Sequence, residues 1–118
     1  MIFSACSKPG ANVNLEDQLT VGTWTVSYYA ADSVDQTALF FTYTFLFEND
    51  GDLVANDQGI LSTGSWVRTN TSNENPRMMI NFGSNAPLNR FNEDWVASNR
   101  KQNQVTFTEN ASDRKSVV

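Results

Sequence analysis

Residues 39–53 read LFFTYTFLFENDGDL, and this stretch predicts the fold of the whole chain. Every second residue in its first part is large and apolar, namely Leu39, Phe41, Tyr43, Phe45 and Phe47. Because side chains alternate between the two faces of a strand, this row predicts a half-buried β-strand with an aromatic inner face. Residues 49–52 follow as Asn-Asp-Gly-Asp, and an Asp-Gly pair is typical of a tight hairpin turn. A second strand must therefore pair with the first, and other elements must cover the aromatic row.

Alternating apolar residues recur along the chain in short segments that polar turns separate. These segments lie near residues 22–29, 60–68, 77–83, 93–99, 104–109 and 114–118. The intervening helical signals are short: residues 15–21 predict one helical turn that closes a barrel end, and Leu88 and Phe91 predict a small cap. Sequential strands joined by short turns are antiparallel. A sandwich or a barrel would satisfy the pattern, and closure removes the exposed edges of a Thr-rich sheet with few charges. We therefore predict an all-β fold, an antiparallel up-and-down barrel of about eight strands.

The composition excludes several classes of function. The chain has 118 residues, enough for one domain with a real core, and its net charge is −5. Its longest basic clusters are pairs, so a nucleic-acid interface is not expected. With no histidine and one cysteine, the chain cannot build His/Cys zinc or copper sites or an internal disulfide. No nucleophile, general base or cofactor motif is present, so we expect no cofactor and no enzymatic activity.

The N-terminal residues resemble the end of a bacterial lipoprotein signal. Residues 1–6 read MIFSAC, and Ser4 and Ala5 before Cys6 are similar to a lipobox. The resemblance implies cleavage before Cys6, lipidation of that cysteine and a cell-envelope location at the outer membrane. Residues 7–18 then form a polar tether, and residues 19–118 form the barrel domain. The alternative is that Cys6 is a small buried residue in a short apolar run.

Three short motifs in order resemble the lipocalin-like lipoproteins of Bacteroidetes. The first is Gly22-Thr23-Trp24, the second is Gly64-Ser65-Trp66 after the hairpin, and the third begins at Glu93-Asp94-Trp95. The resemblance covers roughly residues 19–118 and implies a lipocalin-like barrel. It is incomplete, because the second lipocalin signature is replaced by residues 98–101 and the usual cysteine pair is missing. By analogy, Arg114 is expected to pack against Trp24 as a cation–π pair.

The barrel interior predicts two alternative functions. In the first, the interior holds a small hydrophobic or aromatic molecule, and two tyrosines and a serine provide polar contacts. The residues predicted to bind it are Tyr28, Tyr43, Phe45, Ser62, Trp66, Met78 and Trp95. In the second, the aromatic rings interlock as a solid core, and the protein is an interaction or accessory module that acts through its loops. A cavity behind Tyr43 would favour the first, and packing of Trp66 and Phe82 against that ring would favour the second.

Two groups of carboxylates have a structural explanation. Glu48, Asp50, Asp52 and Asp57 lie around one hairpin and offer oxygen ligands that suit calcium, but Asp-Gly turns arise for backbone reasons alone. We expect no metal site there. Glu93 and Asp94 are adjacent on a predicted strand, so their side chains point to opposite faces and cannot flank one scissile bond.

Overall fold

The structure is a computed structural model that describes residues 1–5, 14–31, 33–71, 74–101 and 104–109. Eight strands form one closed antiparallel barrel. They are β1 (Ile2–Ala5), β2 (Trp24–Tyr28), β5 (Tyr43–Phe47), β6 (Asp52–Asp57), β7 (Ile60–Arg68), β8 (Arg77–Asn81), β9 (Asp94–Lys101) and β10 (Gln104–Glu109). A separate hairpin of β3 (Ala30–Ala31) and β4 (Val34–Asp35) lies between β2 and β5 in sequence.

The described residues also include three short helical elements. They are helix α1 (Leu15–Leu19) and the 3-10 turns η1 (Thr37–Phe40) and η2 (Leu88–Phe91). None of the helices in the described ranges is long and apolar enough to cross a membrane. The single helical turn and the small cap that the sequence predicts are thus present as α1 and η2, and both ends of each element are buried.

Strand order follows chain order around the barrel, which confirms the predicted all-β, eight-stranded antiparallel fold. Strands β5 to β10 pair in succession, β2 pairs with β5, and β1 closes the ring between β10 and β2. Phe3 is paired with Val105 on one side and with Val26 on the other. Closure therefore depends on four residues at the beginning of the chain.

The barrel uses residues that the sequence analysis gave to a signal remnant and a tether. Met1 and Phe3 are buried in the core, and so is Leu15 of α1. The core therefore includes residues that precede the predicted start of the barrel domain at residue 19. The physical reason is that one or two alternating apolar positions look the same in a short barrel strand and in a short apolar leader. Cys6 and the segment 110–118, which contains Arg114, lie outside the described residues.

The central strand begins four residues later than predicted, so the inner-face prediction is wrong for Leu39 and Phe41. The turn η1 comes first, and Asp35 Oδ1 accepts hydrogen bonds from the Thr37 backbone N–H at 2.9 Å and from its hydroxyl at 2.6 Å. These bonds hold the pKa of Asp35 below its ordinary value. The helical turn changes the side-chain phase, so Phe40 is buried while Phe41 is 74% exposed. From Tyr43 onward the predicted alternation holds.

The predicted Asp-Gly hairpin is present between β5 and β6. Gly51 has φ +98°, a left-handed conformation that glycine adopts without a steric penalty. Its N–H donates to Glu48 O at 3.0 Å, and the Asp52 N–H donates to Asp50 Oδ1 at 3.0 Å. Strand pairing then runs from Phe47 with Leu53 to Tyr43 with Asp57.

Each of the three tryptophans donates a hydrogen bond from its indole N–H to a backbone carbonyl of an end cap. Trp24 Nε1 donates to Leu19 O of α1 at 2.9 Å, and Trp66 Nε1 donates to Glu48 O at the β5–β6 hairpin at 3.0 Å. These two caps lie at one end of the barrel, which we call the α1 end. At the opposite end, which we call the mouth, Trp95 Nε1 donates to Phe91 O of η2 at 2.9 Å. Arg68 adds an ion pair with Glu16 at the α1 end.

Gly64 is required by close packing. A Cβ atom at this position would lie 2.5 Å from Asn81 O and 2.6 Å from the Phe82 ring. Both distances are shorter than any normal van der Waals contact, and the first involves backbone that cannot rotate away. The glycine of the second Gly-x-Trp motif therefore lets strand β8 and Phe82 approach β7.

We predict that Gly64→Ala lowers the free energy of unfolding by about 1–3 kcal/mol, the usual cost of overpacking. Denaturant titration measures the change. The control is Ser65→Ala, a neighbouring exposed position where a change within about 0.5 kcal/mol is expected. Equal midpoints for the two variants would contradict the close approach of Phe82.

Candidate functional site

The residues predicted to bind a ligand divide into three groups. Phe45, Trp66, Met78 and Trp95 are buried in one hydrophobic core. Tyr43 and Ser62 are half-buried on β5 and β7. Tyr28 is 44% exposed, and its predicted inward orientation is wrong. The register between β1 and β2 shifts after Val26, so Ser27 is an extra residue and Tyr29 is buried instead of Tyr28.

Aromatic rings occupy the barrel interior. Phe3 lies at their centre, with ring centroids 5.4 Å from Phe45, 5.7 Å from Phe47, 6.0 Å from Phe107 and 6.3 Å from Phe91. Most of these pairs are edge-to-face, the arrangement that aromatic quadrupoles favour. The rings thus contact one another directly inside the barrel.

The mouth of the barrel is closed by the two 3-10 turns. Phe40 of η1 and Phe91 of η2 have ring centroids 4.5 Å apart, and Phe91 also contacts Phe45 at 5.8 Å. Tyr43 packs against Phe40 at 6.0 Å and Phe45 at 6.1 Å. The ring of Tyr43 therefore packs against neighbouring core rings. The burial of Phe40 could not be predicted from the sequence, because its position on the predicted strand is on the outward face.

An exposed apolar surface borders the closed mouth. Phe41, just before β5, is 74% exposed, and Ile60 and Leu61 at the start of β7 are 71% and 63% exposed. Tyr43 pairs with Asp57, and Asp57 pairs with Ile60, so β5 and β7 are separated here by a single strand, or about 10 Å. Leu39 on η1 is also exposed. We call Leu39, Phe41, Ile60 and Leu61 the apolar rim.

A small pocket of about 110 Å³ lies on the other side of the mouth. It is lined by Tyr29, Ala30, Ala31, Arg90, Glu93, Trp95 and Glu109, and we call it the mouth pocket. Tyr29 Oη donates to Arg90 O at 3.3 Å, and Arg90 Nε donates to Gln36 Oε1 at 3.1 Å. The Glu109 charge also acts on the Met1 ammonium, whose pKa is lowered by burial and, to a smaller extent, raised by Glu109.

The other acidic residues have structural roles. Glu48, Asp50 and Asp52 bring carboxylate oxygens within 4.8 Å of one another, and the hairpin hydrogen bonds already account for their positions. Asp94 is buried at the start of β9, whereas Glu93 precedes the strand, is half-buried and lines the mouth pocket. Asp94 Oδ1 accepts from the Thr69 hydroxyl at 3.1 Å, and Asp94 Oδ2 accepts from Arg77 Nη2 at 2.5 Å.

The pKa of the Tyr43 hydroxyl depends on its surroundings near the apolar rim. Burial, followed by the negative charge of Asp57, raises the pKa of the Tyr43 hydroxyl above its ordinary value. Because the folded-state pKa is the higher one, the unfolded chain loses this proton first. The Tyr43 contribution to stability is therefore unchanged below about pH 10 and is lost as the pH rises further.

We predict that ultraviolet titration of the tyrosines shows a step above about pH 10 that Tyr43→Phe removes. Asp57→Asn should shift this step to lower pH, because it removes the charge that disfavours the phenolate. Asp50→Asn, at the α1 end, is the control and should leave the step in place. An unchanged step in Asp57→Asn would show that the Asp57 charge does not reach Tyr43.

Comparison with known proteins assigns the chain to no family. No family model, curated protein or solved structure matches the chain. The functional conclusion therefore depends on the geometry of the core, the apolar rim and the mouth pocket.

Proposed function

We propose that the protein is a non-enzymatic interaction module that binds a protein partner through the apolar rim. The observation that carries the proposal is the exposure of Phe41, Ile60 and Leu61 beside a closed mouth. Large apolar side chains grouped on a surface are typical of interaction sites, and an aromatic anchor is a frequent centre of binding energy. The barrel would hold this surface on a rigid frame.

The filled interior favours this function over a ligand carried inside the barrel. A hydrophobic molecule behind Tyr43 would have to displace the rings of Phe3, Phe45 or Phe91, which contact one another. Loss of a buried aromatic side chain costs about 3–5 kcal/mol of stability, and displacement of a ring would subtract a cost of this order from the binding free energy of the ligand. Both 3-10 turns would also have to move before the ligand could enter.

Charge favours a protein partner over a lipid surface. The net charge of the chain is −5, and Asp57 lies at the rim beside Tyr43. Anionic lipid head groups would repel this surface, whereas a protein segment with apolar and basic side chains complements it. We therefore expect the partner to present such a segment.

We predict that a photo-crosslinking residue at position 41 or 60 forms protein adducts in the producing cell, and that one at position 67 does not. Val67 is the control because it is 58% exposed on the β7 wall, away from the rim. With the identified partner purified, Phe41→Ser should weaken binding about thirtyfold, as for an aromatic hot spot, while Val67→Ser should not. Adducts with lipid, or equal crosslinking at position 67, would overturn the proposal.

The lipid anchor on Cys6 and the cell-envelope location are a separate proposal, which the lipobox resemblance alone supports. Cleavage before Cys6 would remove β1 and leave β2 and β10 without their shared partner. Lipidation by this route and closure of the barrel by β1 are therefore alternatives for the mature protein.

The lipobox resemblance predicts that the membrane fraction of the producing cell contains a chain that begins at an acylated Cys6, whereas closure of the barrel by β1 predicts a mature chain that retains Phe3. Labelling with palmitate and intact mass measurement test this, and Cys6→Ala is the control that should lose the label. A mature chain that retains Phe3 would contradict the anchor and would leave the barrel closed as described.

A further inference from the structure

Three polar side chains lie close together on the inward face of β5, β6 and β7, where these strands meet the mouth. Tyr43 pairs directly with Asp57, and Asp57 pairs with Ile60, so these residues share one face. Ser62 lies two residues after Ile60 on the same face, diagonally beside Asp57. Tyr43, Asp57 and Ser62 are half-buried, so a ligand can reach them from the mouth. We call these three residues the polar triplet.

Local structure fixes the positions of the polar triplet. The turn between β6 and β7 consists of residues 58–59, and both have positive φ, at +54° and +98°. The twist of such a two-residue turn matches that of paired strands, so the turn holds Asp57 and Ile60 directly opposite each other. The Tyr43 ring is held by its contacts with two core rings, at 6.0 and 6.1 Å. A ligand would therefore bind to groups that are already ordered, which reduces the entropic cost of binding.

The polar side-chain atoms of the triplet have no partner among the residues that the structure describes. The hydrogen bonds and ion pairs of that part of the chain involve neither the Asp57 carboxylate nor the hydroxyls of Tyr43 and Ser62. Burial, followed by the Asp57 charge, raises the pKa of the Tyr43 hydroxyl, so the carboxylate lies close enough to affect the phenol. Polar groups that lose water are normally hydrogen-bonded, and a carboxylate in this setting favours a bound cation.

We propose that the polar triplet binds the ammonium group of a lysine side chain that the protein partner presents at the apolar rim. The source of the lysine rests on the proposed function, whereas the ammonium site does not. An ammonium carries three N–H donors, and the triplet offers acceptors on three adjacent strands, one carboxylate and two hydroxyl oxygens. The methylene chain of the lysine would lie along Ile60, which belongs to the rim and is 71% exposed.

The arrangement of the triplet favours an ammonium over a guanidinium. The planar fork of an arginine side chain pairs best with both oxygens of one carboxylate. An ammonium is compact, and it can turn its donors toward acceptors that lie in different directions. Because Asp57 and the two hydroxyls come from three neighbouring strands, they approach a ligand from three directions.

The test uses the full chain and Nα-acetyl-lysine methylamide, whose only charge is the side-chain ammonium. The NMR signal of the Asp57 carboxyl carbon is the reporter, and that of Asp50 at the α1 end is the internal control. The lysine probe should shift the Asp57 signal with a Kd of about 1–10 mM, as expected for one small side chain. The norleucine analogue, which lacks the ammonium, should leave the signal in place. The arginine analogue should bind at least about threefold more weakly.

Three conservative variants assign the contacts, with the Ile60 methyl signals as the reporter. Asp57→Asn should weaken the lysine probe about tenfold, because it removes the charge that pairs with the ammonium. Tyr43→Phe and Ser62→Ala should each weaken it about threefold, because each removes one neutral acceptor. The control Asp50→Asn should have no effect. The proposal is overturned if the lysine probe moves no signal at about 50 mM, if the arginine analogue binds as tightly, or if Asp50→Asn matches Asp57→Asn.

Failure of the ammonium site can be distinguished from failure of the proposed function. Phe41→Ser should weaken binding of the purified partner but leave the lysine probe unchanged, since Phe41 lies outside the triplet. Asp57→Asn should weaken both about tenfold, and a Lys-to-Met change at the contacting partner lysine should add nothing further in that variant. Crosslinking at the rim without binding of the probe overturns the ammonium site alone. Binding of the probe without crosslinking at the rim overturns the proposed function and, with it, the partner as the source of the lysine.

Discussion

Closure of the barrel by β1 is the constraint on which the rest of the structure depends. The strand pairs with β10 on one side and β2 on the other, and it places Phe3 among four other aromatic rings. Without it the sheet would have two open edges and a gap at its centre, and each consequence is destabilising. The same strand brings Met1 into the core. Cleavage of the N-terminus would therefore remove the strand that closes the barrel.

The tryptophans of the two Gly-x-Trp motifs and of the Glu-Asp-Trp motif have the same structural role in this chain. Trp24, Trp66 and Trp95 each bury an indole ring in the core and donate the ring N–H to a carbonyl of an end cap. A buried N–H without an acceptor would be costly, so the ring and the cap fix each other's position. The short caps thus gain a stability that elements of four or five residues would not have alone.

Sequence periodicity predicted the barrel but not the details that make it solid. Strands from Tyr43 to Phe107 follow the expected alternation, except at Ile60 at the start of β7, because their apolar rows are long enough to show a period of two. The other errors fall where the phase changes, at the 3-10 turn before Tyr43 and at the extra residue Ser27. Phe3 was missed because one buried residue in a four-residue strand has no period. The mouth pocket was missed because its groups come from the ends of separate elements.

The places where the strand rule fails also identify the surface available for function. Alternation assigns Phe41 to the core, and the inward parity of β7 includes Ile60, yet both are exposed at the mouth. A sequence selected only for stability would place polar residues at such positions, because an exposed Phe contributes no burial there. The packed rings favour recognition at the surface over a ligand inside the barrel. The proposed protein partner would then bind the apolar rim on a rigid frame without displacing the core.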